Sequence, residues 1–178
     1  MGASMTVRLP EWGNEHRLMV LLETPQVRTL IARYDADSDW AMSAEEFLLP
    51  AKILFGGPMS NSLGKKLGVK SRRSSAEQFS LPVGSVLVAV MCSLAQRGLN
   101  MTEFDQQEAG CRVKATIPSS WRTFGGTLAV DVTSSPNGST VACETLFEGQ
   151  FYTWGADKKA VRTLYADIPT MAAEQASA

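Results

Sequence analysis

Apolar and polar positions alternate with different periods along this chain, and the periods predict its elements. From Pro25 to Tyr34, Val27, Leu30 and Ile31 recur at helical spacing, which predicts an amphipathic helix. Pro82 to Gly98 is apolar on nearly every side, with Val86, Leu87, Val88, Ala89, Val90, Met91, Cys92 and Leu94. Such a segment reads as a well-buried helix, and Gly98 suits its C-terminal cap. Three alternating runs follow: Val113, Ala115 and Ile117; then Leu128, Val130 and Val132; then Val141, Cys143 and Thr145. Period two predicts strands. Pro136-Asn137-Gly138 separates the last two and supplies the backbone freedom of a tight hairpin. Val161, Leu164, Tyr165 and Ile168 predict a closing helix that stops near Pro169. Glu103, Asp105 and Glu108 read as a solvated turn between strands, and Trp121 and Trp154 as packing residues. The expected class is α+β: an N-terminal helical module followed by an antiparallel sheet packed with two helices.

Charge changes the picture by dividing the chain. Residues 1–46 carry eight acids against four bases, residues 47–76 six bases and no acid, and residues 77–178 ten acids against seven bases. The net charge of −1 therefore conceals a basic belt, Lys65, Lys66, Lys70, Arg72 and Arg73, in a stretch rich in Gly and Ser. That composition predicts a connector. The expected organisation is a helical module over 1–56, a basic linker over 57–76, an α+β domain over 77–170 and a tail over 171–178.

Composition excludes several functions. The longest apolar run, Val86 to Cys92, falls far short of the roughly 18 residues that span a bilayer, and no charged-then-apolar leader opens the chain. A cytoplasmic location is expected. Cys92, Cys111 and Cys143 are too far apart for a metal-spaced pair, and the single histidine, His16, excludes any scheme needing two. Near-neutral charge argues against bulk attraction to nucleic acid. No serine or cysteine nucleophile has a local motif around it, and Gly56 to Lys66 lacks the spacing of a phosphate-binding loop, so an enzyme is not expected.

One segment has the pattern of a metal loop. Asp35, Asp37 and Asp39 alternate, Ala41 offers a backbone carbonyl, Ser43 a hydroxyl, and Glu46 stands at the twelfth position. Calcium takes six to eight oxygen ligands, and a short loop supplies them by this alternation and a closing bidentate glutamate. With the helix before it and the Ser43 and Glu46 capping box after it, the segment 35–46 resembles an EF-hand loop. The resemblance implies bound Ca2+ on Asp35, Asp37, Asp39, Ala41, Ser43 and Glu46. It departs from the family at Trp40, where the sharp turn ordinarily takes glycine, and at Pro50, which falls in the exit helix. EF-hands normally occur in pairs, and the single copy here suggests a homodimer or an intramolecular substitute.

The element order from residue 77 onward is similar to that of the helix-grip folds, in which a sheet wraps a long helix around an apolar cavity. Two functional readings follow. One is a calcium-binding regulatory or adaptor protein with a protein partner. The other is a carrier or sensor of an apolar small molecule, with the EF-hand surviving as a brace. The opening Met1-Gly2-Ala3-Ser4-Met5-Thr6 matches an N-myristoylation pattern. Together with Lys65, Lys66, Lys70, Arg72 and Arg73 it suggests peripheral contact with an anionic membrane.

Overall fold

The computed structural model describes residues 10–34, 70–118, 125–148 and 156–175. A 3-10 turn, Glu11–Asn14, leads into α1 (Leu18–Glu23) and α2 (Pro25–Tyr34). Then come β1 (Lys70–Phe79), α3 (Val83–Gln96), β2 (Met101–Gln107), β3 (Gly110–Ile117), β4 (Gly126–Ser135), β5 (Gly138–Glu148) and α4 (Ala156–Gln175). The strands form one antiparallel sheet in the order β1-β5-β4-β3-β2. Strands β2 to β5 are a meander that brings the last strand back beside the first. The expected α+β class, with N-terminal helices and a sheet packed by two further helices, is what the chain adopts.

The connection from β1 to β2 must carry the chain between opposite edges of the sheet, and α3 is that connection. A helix placed there is covered by the sheet on one side and by α1, α2 and α4 on the others. Every residue from Val83 to Ala95 is accordingly buried, Gly84, Ser85 and Ser93 included. Its C-terminus closes as the apolar pattern predicts. Gly98 takes φ 58°, its amide donates to the Ala95 carbonyl at 2.9 Å, and the Leu99 amide donates to the Leu94 carbonyl at 3.0 Å. These two bonds satisfy carbonyls that the helix end would otherwise leave unpaired.

The N-terminal helices share this core. Val27, Leu30 and Ile31 of α2 are buried in one continuous apolar cluster with α3 and the sheet. The turn at 11–15 lies directly on the start of α3, where Gly84 leaves no space between them: a Cβ there would sit 2.4 Å from the Trp12 carbonyl oxygen. Gln106 secures the other side. Its Oε1 accepts from the Leu18 amide at 3.0 Å and its Nε2 donates to the His16 carbonyl at 2.9 Å, so one side-chain amide does the work of a strand neighbour.

Four expectations are corrected. Residues 70–76 belong to β1, not to a linker, with Arg72 opposite Leu146 and Arg73 opposite Thr145. This strand is polar because it forms an edge whose exposed residues meet water on both faces. Glu103 and Asp105 lie on β2 and only Glu108 is in the following turn. The closing helix continues through Pro169 to Gln175. Proline removes one helical hydrogen bond, but Met171, Ala172 and Gln175 beyond it are buried, and the Gln175 Nε2 donates to the Ser85 carbonyl at 3.0 Å. Packing on α3 outweighs the lost bond, so residues 171–175 are helix and not tail. Trp121, Trp154 and the N-terminal myristoylation pattern lie outside the described residues.

Candidate functional site

The inner face of the sheet is apolar in its centre and changes character at one edge. Registered across the strands, Val113, Val130 and Cys143 lead to Ser75, Cys111, Val132 and Val141 lead to Glu77, and Ala115, Leu128 and Thr145 lead to Arg73. The central residues of these rows are buried, whereas Arg73, Ser75 and Glu77 on β1 are exposed. The helical layer therefore stops short of the β1 edge. Where it stops, β1 and the first half of α4 enclose an open groove of about 480 Å³.

Its floor is Val161 and Tyr165. Val161 is buried, and the Tyr165 ring packs against Phe79 with centroids 6.1 Å apart. The Tyr165 hydroxyl donates to the Ser75 carbonyl at 2.9 Å, which ties the helix to the strand and fixes the floor. Burial, ahead of its hydrogen bonds, pushes this phenol up to about 12, so it remains neutral at physiological pH. The rim is cationic: Arg73 from β1, and Lys158, Lys159 and Arg162 from α4.

The contrast with the other face of the sheet is informative. Strand alternation sends Arg72 and Arg73 to opposite faces. Arg72 reaches Glu144 at 2.5 Å, Arg112 lies 3.4 Å from Glu144 and 3.6 Å from Asp131, and Lys114 lies 2.8 Å from Glu103. Arg97, between α3 and α4, likewise reaches Asp167 at 2.5 Å. These bases each stand beside an acid. Lys158, Lys159 and Arg162 have no such partner among the described residues.

The three cysteines are held as thiols. Cys92, Cys111 and Cys143 are buried, and that burial pushes each thiol up to about 12, which keeps the reactive thiolate scarce at neutral pH. Among the described residues no group of three or more His, Cys, Asp or Glu could hold a metal ion. Asp35, Asp37, Asp39, Ala41, Ser43 and Glu46 lie outside the described residues, as do Lys65 and Lys66. Of the described members of the basic belt, Lys70, Arg72 and Arg73 lie on β1, and Arg73 lines the groove.

Sequence reasoning missed Lys158, Lys159 and Arg162. The signal was present: these positions are the charged neighbours of Val161 within a predicted helix, and i, i+4 spacing puts Lys158 and Arg162 one turn apart. What the sequence lacked was Arg73 facing them, a juxtaposition that requires the β1–β5 pairing. No known protein family and no curated protein matches the sequence.

Proposed function

We propose that this is a non-enzymatic binding protein of the regulatory or adaptor kind, whose working surface is the groove between β1 and α4. The observation that carries this reading is that Lys158, Lys159 and Arg162 of α4, which have no acid beside them among the described residues, line one concavity together with Arg73 of β1. Like charges brought together cost energy that an anionic partner removes. Val161 and Tyr165 add an apolar part to the lining. Retention on immobilised heparin at low salt tests the reading, because exposed charge interactions weaken over a Debye length of about 10 Å at 0.1 M salt. The protein is expected to bind and to elute as salt rises, with Lys158→Glu/Arg162→Glu eluting far earlier at unchanged melting temperature. Equal retention of parent and variant would refute it.

A second reading keeps calcium at residues 35–46. In its favour, α2 runs to Tyr34, so the chain enters the loop from a helix whose Val27, Leu30 and Ile31 are anchored in the core. Calcium would then act on a segment attached to a fixed element. Calorimetric titration with Ca2+ is expected to give binding heat that Asp35→Ala and Glu46→Gln each abolish. Heat that survives both substitutions would place the ion elsewhere.

A further inference from the structure

We infer that the β1 edge pairs antiparallel with the β1 edge of a second copy of this chain, about a two-fold axis through Ser75. This goes beyond the reading of the groove as an anion surface, although bases of the groove contribute to it. The first ground is the contrast between the two edges of the sheet. At β2 the register shifts between Met101 and Glu103, and the Gln106 side chain already bonds the Leu18 amide and the His16 carbonyl. A bulged and capped edge resists a further strand. β1 is regular by comparison: its ten residues pair with β5 without a shift, none is proline, and Arg72 to Gln78 are all exposed. The outward N–H and C=O groups of such a strand are a template for one more.

The second ground is self-complementarity. Arg73, Ser75 and Glu77 share the inner face of β1, and a two-fold axis perpendicular to the sheet sets inner residues of one copy against inner residues of the other. Centred on Arg73 the pairing would oppose two arginines, and centred on Glu77 two glutamates; like charges directly opposite are destabilising. Centred on Ser74 or Ala76 it would leave Glu77 opposite a serine, Ser71 or Ser75. Centred on Ser75 it sets Glu77 of each chain opposite position 73 of the other, with Arg72 opposite Gln78 and Ser74 opposite Ala76 on the outer face. Position 73 lies in the groove that Lys158, Lys159 and Arg162 also line. Those three bases have no acid beside them among the described residues, and Glu77 has no base beside it, so each chain presents the charge that the other lacks. Arg73 already has an interaction within its own chain, and the attraction does not draw on it. The helical layer stops short of β1, which leaves room for both layers on the same side of the joined sheet.

Sedimentation velocity on the full chain tests this. The parent is expected to move from a 19.3 kDa monomer toward a dimer as it is concentrated. Glu77→Lys and, separately, Lys158→Glu/Arg162→Glu should each weaken dimerisation at least about tenfold, because each change acts at both symmetric ends of the interface. Mixed in equal amounts, the two variants should recover it, since each then meets the charge opposite to its own. Ser75→Cys gives a second readout. Cβ atoms directly opposite lie about 4.5–5.5 Å apart, close to disulfide range, and the native cysteines are buried. Mild oxidation should therefore yield a covalent dimer of Ser75→Cys but not of Ser134→Cys, an exposed control on β4. A parent that stays monomeric at every concentration, dimerisation equal in parent and variants, no recovery in the mixture, or equal cross-linking at 75 and 134 would overturn the proposal. Glu77→Lys should remain on heparin at least as long as the parent, and a monomeric parent that still binds heparin would overturn the dimer while leaving the anion surface standing.

Discussion

Gly84→Ala is expected to cost about 3 kcal/mol or more and to loosen the N-terminal turn from α3. Two effects oppose each other. Alanine is the better helix former by about 1 kcal/mol, so an exposed helical glycine would be stabilised by the change. At Gly84 the new methyl carbon would lie 2.4 Å from the Trp12 carbonyl oxygen, 2.6 Å from that of Glu15 and 2.7 Å from that of Gly13. All three are backbone atoms, which cannot swing aside as a side chain can. Overpacking a close-packed core typically costs about 1–3 kcal/mol and occasionally more, and contact with three carbonyls at once belongs at the upper end. The clash therefore wins over propensity. Thermal melting and amide exchange of residues 10–18 check it; a melting temperature equal to or above the parent's would contradict the close approach. Gly98→Ala is the useful contrast. Nothing lies within 4 Å of a Cβ there, and its cost, about 1 kcal/mol, comes only from φ 58°.

Leu87→Ala should be comparably severe for the opposite reason, a void in place of a clash. Leu87 is fully buried on a helix that the sheet and the other helices surround. Removing a buried leucine to alanine costs about 2–5 kcal/mol, the transfer energy plus that of the cavity left behind. Surroundings made of a sheet and several helices collapse poorly, which favours the upper half of that range. For a chain of this length each kcal/mol lowers the melting temperature by roughly 2–4 °C, so a drop of about 10 °C is expected. Leu87→Met, which conserves volume, should lose little. A Leu87→Ala protein melting within a degree or two of the parent would show that α3 is less enclosed than described.

The legible parts of this fold were those where burial on one face imposes a period. The apolar run of α3, the alternation of β3, β4 and β5, and Val27, Leu30 and Ile31 on α2 all state their environment directly. The two outer strands did not. On β1 the inward positions are Arg73, Ser75 and Glu77, because no helix covers them, so the hydrophobic half of the alternation is missing. On β2 the register shifts between Met101 and Glu103, and the buried residues Met101 and Phe104 fall three apart. A bulge thereby hides the strand period. Pro169 misled for a related reason: local propensity marked a stop, and contacts from Met171 to Gln175, distant in sequence, carried the helix on.

The candidate site was less legible than the fold for the same physical cause. Arg73 was visible as one member of a basic belt, yet strand alternation separates it from Arg72, which stands beside Glu144 on the other face. Its functional neighbours come from the last helix and meet it only once β5 has returned the chain to the first strand. A linear count of charge could not anticipate that.

The account is tested most directly by titrating a short heparin oligosaccharide into isotopically labelled protein and following the backbone amides by nuclear magnetic resonance. Saturable shifts confined to residues 73–75 on β1 and 158–165 on α4, and absent from Lys158→Glu/Arg162→Glu, are the predicted result. Shifts centred elsewhere on the molecule, or shifts that persist unchanged in that variant, would contradict the assignment of the groove.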